Sequence, residues 1–136
     1  MKFKFLFILI IILIVSLSLN FFVNNKKLVD YQEIPIYVTV GDHLGFNVNN
    51  SALFFGTIQK GSYSFRSFVV KNEKCESCKV EIKVGEQMEG WIEVSENNFL
   101  LKKGEYKELV AYAFIPEGSD LGDYEGKLII YFWKDI

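Results

Sequence analysis

Two cysteines three positions apart, Cys75-Glu76-Ser77-Cys78, have the spacing of redox dithiols and of half a zinc site. A reactive pair of this kind sits at a helix N-terminus, where the dipole and free N–H groups lower a thiol pKa. Here the pair follows Val69-Val70-Lys71-Asn72 and precedes the alternating run Lys79–Val84, so it is predicted in a loop between two strands. Glu73, Glu76 and Glu81 would raise a thiol pKa, and Lys74 and Lys79 offset them in part. A zinc site needs four ligands. Beyond residue 23 the chain offers two Cys and one His, His43, with carboxylates as the other candidates, so no metal and no cofactor is expected. In an oxidising compartment two such thiols pair. The expected product is a local disulfide between Cys75 and Cys78 that pins the turn, with less chain entropy gained than a long loop would give.

Three other constellations invite chemistry and have plainer readings. His43 lies in Gly41-Asp42-His43-Leu44-Gly45 beside an Asp, but adjacent residues in a strand or turn point apart. No nucleophile elbow of the G-x-S-x-G kind accompanies it. Glu117-Gly-Ser119-Asp120-Leu-Gly-Asp123 clusters oxygens that could hold calcium, yet it lacks EF-hand spacing and has the composition of a crossover loop. Asn49-Asn50-Ser51 fits the N-glycosylation acceptor, which an exported domain could use at Asn49. No catalytic residue is assigned, and the chain is read as not an enzyme.

The elements that position these residues are strands. In Lys79–Val84, Val80, Ile82 and Val84 fall on one face and Lys79, Glu81 and Lys83 on the other, the pattern of a strand with one wet face. Further strands are predicted at 36–40, 46–48, 53–58, 63–71, 91–95, 99–101, 106–115 and 124–133, with glycines punctuating the turns. No helical stripe appears after the first segment, which argues against parallel α/β folds. The fold class is all-β: an antiparallel, immunoglobulin-like sandwich of about seven to nine strands, which is the size expected for one such domain.

Ahead of that domain, a basic flank (Lys2, Lys4) leads into an apolar run over residues 5–23, interrupted by Ser16, Ser18 and Asn20. As a helix this run reaches about 28 Å, close to a bilayer's hydrocarbon thickness. Ser16-Leu17-Ser18 could instead serve as a signal-peptide cleavage site. The organisation is therefore an anchor or signal peptide over 1–23, embedded in membrane lipid through 5–23, a stalk over 24–33, and a sandwich over 34–136. The positive-inside rule, by a small margin, places the domain on the extracytoplasmic side of a single-pass membrane protein. Beyond residue 23 the chain keeps all 17 Asp+Glu but loses Lys2 and Lys4 from its 15 Lys+Arg. With a mild acidic excess and no basic stripe, nucleic acid is excluded as a partner.

The order Gly61-x-x-x-Phe65-Arg66-x-Phe68-Val69-Val70-Lys71-Asn72, then Trp91, Leu101-x-x-Gly104-Glu105, Ile115-Pro116-Glu117-Gly118 and Gly122-Asp123-Tyr124-Glu125-Gly126-x-Leu128-x-Ile130 resembles prokaryotic surface-type immunoglobulin-like domains over about residues 50–133. The resemblance implies that fold and a non-catalytic role in adhesion or assembly. Asp120-x-Gly122-x-Tyr124 resembles the tyrosine corner of such domains, which makes Gly122 and Tyr124 structural. Gly126 stands where antibody domains carry cysteine, so Tyr124 with the Trp91 or Trp133 indole is expected to fill the core.

The binding candidate is the last strand. Leu128, Ile130 and Phe132 fill one face, and Ile129, Tyr131 and Trp133 fill the other. A strand apolar on both faces is covered twice or offers an aromatic patch, and its place at the chain end suggests a sheet edge open to strand addition. The function expected is a membrane-anchored extracytoplasmic interaction module for an unidentified protein or glycan. The alternatives are an accessory subunit of a membrane complex and a thiol-disulfide protein using Cys75 and Cys78.

Overall fold

A computed structural model describes residues 2–23, 27–42 and 52–134, with side chains of the first stretch described from 3 to 19. Helix α1 (Lys2–Val23) precedes eight strands: β1 (Leu28–Val40), β2 (Leu53–Ile58), β3 (Tyr63–Lys71), β4 (Ser77–Val84), β5 (Ile92–Val94), β6 (Phe99–Lys102), β7 (Tyr106–Phe114) and β8 (Gly122–Lys134). A 3-10 turn, Glu86–Met88, lies between β4 and β5. The strands form two sheets, one of five in the order β2-β1-β8-β4-β6 and one of three in the order β3-β7-β5. The expected strand at 46–48, together with His43 and Asn49, lies outside the described residues.

Alternation decides which side chains meet between the sheets. Ile36, Val38 and Val40 of β1, Leu128, Ile130 and Phe132 of β8, and Val80 and Ile82 of β4 point inward from the larger sheet. Phe68, Val70, Leu109, Ala111 and Ala113 meet them from the smaller one. The small Ala111 and Ala113 and the large Phe55 and Phe132 are all fully buried in this one core.

Four expectations need correction. First, β1 begins at Leu28, so 28–33 are strand and not stalk, paired with β8 from Leu28↔Trp133 to Val40↔Gly122. This half of β1 lacked an apolar alternation because β2 covers it only from Ile36 onward, leaving 28–35 as an exposed edge. Pro35, which has no N–H to donate, sits on that free side.

Second, the sheets are not wholly antiparallel, because β1 and β2 pair parallel. A parallel pair needs a crossover of about a dozen residues, and 41–52 supply that length. Third, β8 is no edge: it is the central strand of the larger sheet, hydrogen-bonded to β1 and β4 along its length. Its doubly apolar character reflects that central place.

Fourth, of the two indoles expected with Tyr124 it is Trp91 that packs against the core, while Trp133 lies on the outer face, half-buried. The space over Gly126 is taken by Met88, which is fully buried, and a Cβ on Gly126 would collide with the Met88 side chain. The missing cysteine is thus replaced by a methionine delivered by the 3-10 turn. Trp91 and Tyr124 pack together beside the core with ring centroids 4.7 Å apart. The Tyr124 hydroxyl donates to the Asp120 carbonyl at 2.9 Å, just ahead of Gly122, whose φ is 146°.

The open flanks of the sandwich are closed by side chains. Arg66 of β3 donates through Nε to the Phe54 carbonyl of β2 at 2.7 Å. Asn97 both accepts from Ile82 N–H and donates to Ile82 O, each at 2.7 Å, standing in for a strand where β6 has ended. Both devices satisfy edge groups that would otherwise template another chain.

Every described side chain of α1 from Phe3 to Leu19 is exposed. Among the described residues no helix is long and apolar enough to cross a membrane.

Candidate functional site

The disulfide comes first because its residues had the clearest chemistry. Cys75 and Cys78 are bonded, with Cα atoms 5.8 Å apart. Cys78 is the second residue of β4, and Cys75 lies in the loop before it. Both are buried, Cys78 at 0% and Cys75 at 6% exposure, so an attacking thiolate has little access to either sulfur.

The loop is built around Asn72, the one buried polar residue among those described. Its Nδ2 donates to the carbonyls of Cys75 (2.7 Å) and Leu101 (2.8 Å), and its Oδ1 accepts from Cys75 N–H (3.0 Å). Backbone bonds then join this loop to the 102–105 turn: Asn72 N–H to Glu105 O, Gly104 N–H to Asn72 O, and Lys103 N–H to Glu76 O. The cystine and the asparagine together hold one end of the sandwich rigid. Beside it, the Lys71 ammonium, hydrogen-bonded to Glu73, holds the Glu73 carboxyl below its ordinary value.

The crossover loop does not gather a cation site. Asp123 accepts from the Thr39 hydroxyl at 2.6 Å, and the Asp120 carbonyl is taken by Tyr124. Among the described residues no group of three or more His, Cys, Asp or Glu is placed to hold a metal.

The expected binding residues Ile129, Tyr131 and Trp133 lie together on the outer face of the five-stranded sheet, all half-buried. Tyr131 and Trp133 stack at 5.8 Å. The Trp133 indole N–H donates to Glu81 Oε2 at 2.8 Å, Lys83 Nζ lies 5.7 Å from the Tyr131 ring centre, and Lys127 pairs with Glu33 at 2.9 Å. Glu81 and Lys83 thus cover part of these two rings. A shallow open cleft of about 560 Å³ runs from Ile129 and Tyr131 to the 3-10 turn, walled by Lys83, Gln87, Glu125 and Lys127.

The outer face of the three-stranded sheet is different. Tyr63 pairs with Phe114 and Phe65 with Tyr112 across β3 and β7. Their exposures are 69%, 49%, 57% and 42% in that order, and the Phe65 and Tyr112 rings sit 6.4 Å apart. Val69, also exposed, continues the face along β3, and Glu93 of β5 borders it opposite Tyr112.

The chain matches no family model, no curated protein and no solved structure.

A contiguous aromatic face without ionic cover is the surface most suited to recognition here. Reading the sequence missed it. The signal was available in Tyr63-x-Phe65 and Tyr112-x-Phe114, where rings recur on the face opposite to Phe68, Val70, Ala111 and Ala113. What was lacking was the register that sets the two pairs side by side.

Proposed function

We propose that this protein is a membrane-anchored, non-catalytic interaction module. Helix α1 would be held in a bilayer, an immunoglobulin-like sandwich would stand on the extracytoplasmic side, and the Tyr63–Phe65–Tyr112–Phe114 face would dock a protein partner. The observation that carries this reading is that face: four aromatic side chains, paired across two strands and exposed, without charged side chains like those that reach Tyr131 and Trp133 on the opposite sheet. The few residues that dominate binding where proteins meet are enriched in Tyr, along with Trp and Arg. The partner's complementary surface is apolar with a basic rim, since Glu93 borders the patch.

The anchor reading rests on the whole of α1, Lys2–Val23, because the stretch with described side chains is by itself not long and apolar enough to cross a membrane. The whole helix would extend about 33 Å, and the apolar side chains from Phe5 to Val15 are exposed on every face. An all-round apolar helix belongs in lipid or inside a larger core, and the sandwich does not bury it. A buried cystine favours an oxidising compartment. The Tyr124-to-Asp120 bond supports the immunoglobulin-like assignment, while the parallel β1–β2 pair and the Met88 plug are departures from it.

The test is crosslinking in native membranes with a photoreactive residue in place of Tyr63, in the otherwise unaltered full-length chain and in one carrying Phe65→Ser and Tyr112→Ser. A discrete protein adduct that the two substitutions abolish supports the module. An adduct that survives them, or none in either chain, overturns the docking face.

A further inference from the structure

The two ends of the sandwich differ in charge, and the covalent link to α1 decides which end lies near it. The end bearing the disulfide loop gathers the start of β1, the loop 72–76, the turn 102–105 and the end of β8, as the pairings Leu28↔Trp133, Lys71↔Tyr106 and Ser77↔Lys102 require. Lys27, Lys102 and Lys134 are exposed there, and among the described residues no carboxylate lies in ion-pair range of their ammonium groups. Lys71, Lys74 and Lys103 stand on the same end in ion pairs with Glu73, Asp30 and Glu76, each pair exposed enough to contribute little. A fourth carboxylate, Glu105, accepts from the Lys102 backbone N–H at 2.8 Å, so this end keeps an excess of lysine over carboxylate.

The opposite end inverts this balance. Its loops 59–62, 85–91 and 115–123 carry Glu86, Glu89, Glu117, Asp120 and Asp123 against the single base Lys60. Leu28 (41% exposed) and Tyr106 (71%) stand among the lysines of the basic end, whereas the exposed Leu121 and Tyr63 of the opposite end stand among carboxylates. Lysines with a tyrosine and a leucine among them are what a protein surface presents to the headgroup layer of a bilayer.

From Val23 to Leu28 there are only the residues 24–27, and five steps of extended chain reach at most about 17 Å. Leu28 therefore cannot leave the neighbourhood of the α1 terminus, while β1 carries its other end some 40 Å away at about 3.3 Å per residue. The tether alone would let the domain lie on either face. The charge asymmetry selects the upright posture.

We propose that the disulfide-clamped end of the sandwich, presenting Lys27, Lys102 and Lys134 with Leu28 and Tyr106, rests on anionic phospholipid headgroups of the bilayer that holds α1. This deepens the membrane-anchored reading above and depends on it. The cystine and Asn72 act as the stiffener of that foot. They keep the 72–76 loop and the 102–105 turn from spreading, and the acidic, aromatic-bearing end stands away from the membrane toward the partner.

The chain's two tryptophans report on the two ends. Trp133 pairs with Leu28 at the foot, and the carbonyl of Trp91 accepts from Phe114 N–H at the far end at 2.8 Å. The full-length protein is reconstituted as Trp91→Phe and as Trp133→Phe, each leaving one indole, in vesicles of phosphatidylcholine with or without phosphatidylglycerol and with a nitroxide on a lipid headgroup. The expected result is stronger quenching of Trp133 than of Trp91. That difference grows with phosphatidylglycerol, and it is lost at high salt or on Lys27→Glu, Lys102→Glu and Lys134→Glu together, as screening of an exposed charge contact requires. Equal quenching of both indoles, or quenching of Trp133 indifferent to lipid charge, overturns the foot while leaving the anchor standing. Flotation of the same vesicles after an alkaline wash separates the two readings: protein left at the bottom of the gradient overturns the anchor and the foot with it.

Discussion

Both outer faces of this sandwich carry aromatic pairs, yet the pairs sit in opposite surroundings. On the five-stranded sheet, Tyr131 and Trp133 come from a central strand: Glu81 and Lys83 of the neighbouring β4 reach the two rings, Lys127 of β8 itself pairs with Glu33 of β1 farther along the same face, and Tyr31 of β1, opposite Tyr131, stays exposed. On the three-stranded sheet, Phe65 and Tyr112 belong to an edge strand and its single long neighbour, β5 being only three residues long, and they project into solvent. Aromatic content alone does not mark a binding face. What separates the two is how many flanking strands supply long side chains to cover the rings, which follows from strand order.

The comparison breaks most readily under truncation of the roofed pair. Tyr131→Ala with Trp133→Ala removes two half-buried rings and strands Glu81, and a loss of about 3 kcal/mol is expected, scaled down from the cost of fully buried aromatic deletions. Denaturant unfolding measures it, and partner crosslinking should persist. If the pair instead proves neutral for stability, the roof is not a structural cover.

Next comes the clamp beneath both faces. Asn72→Ala leaves the Cys75 N–H and the Leu101 carbonyl buried without partners, which should cost about 2 kcal/mol. Hydrogen exchange should show the loss concentrated in 72–76 and 102–105, the segments Asn72 ties together.

Smaller still, Phe65→Ala with Tyr112→Ala should change stability by no more than about 0.5 kcal/mol, as for exposed positions generally. The same substitutions abolish partner capture. A large loss of stability would mean that this face is also structural and would erase the contrast.

The smallest effect concerns a single proton. A carboxyl held below its ordinary pKa adds stability above that range, and the contribution fades as pH falls through the lowered value. Lys71→Ala should therefore raise the Glu73 pKa toward the ordinary carboxylate value, seen by NMR titration. No measurable change in unfolding is expected, because the pair is exposed.

Much of the secondary structure was legible in the residues. The strands expected at 53–58 and 63–71 stand at those bounds and the one expected at 106–115 ends one residue earlier, and the Cys75–Cys78 staple follows from the loop position of two thiols three apart. The candidate surface was legible only in pieces, because Tyr63, Phe65, Tyr112 and Phe114 are far apart in the chain and nothing local announces their register. The first half of β1 was illegible for a related reason: an edge segment with a proline and several polar residues reads like a linker until its partner, β8, is seen beside it.

Alternation, glycine placement and cysteine spacing are local properties, and by themselves they determined that this chain makes short, half-buried strands, an apolar N-terminal helix and a clamped turn. Tertiary structure alone decided that β1 and β2 run parallel, that β8 is central, that charged side chains reach one aromatic pair and leave the other bare, and that lysines from four separate segments collect at one end. Each of these depends on which distant segment becomes a strand's neighbour. That choice is made by the packing of the whole core, where Met88 fills the space above Gly126.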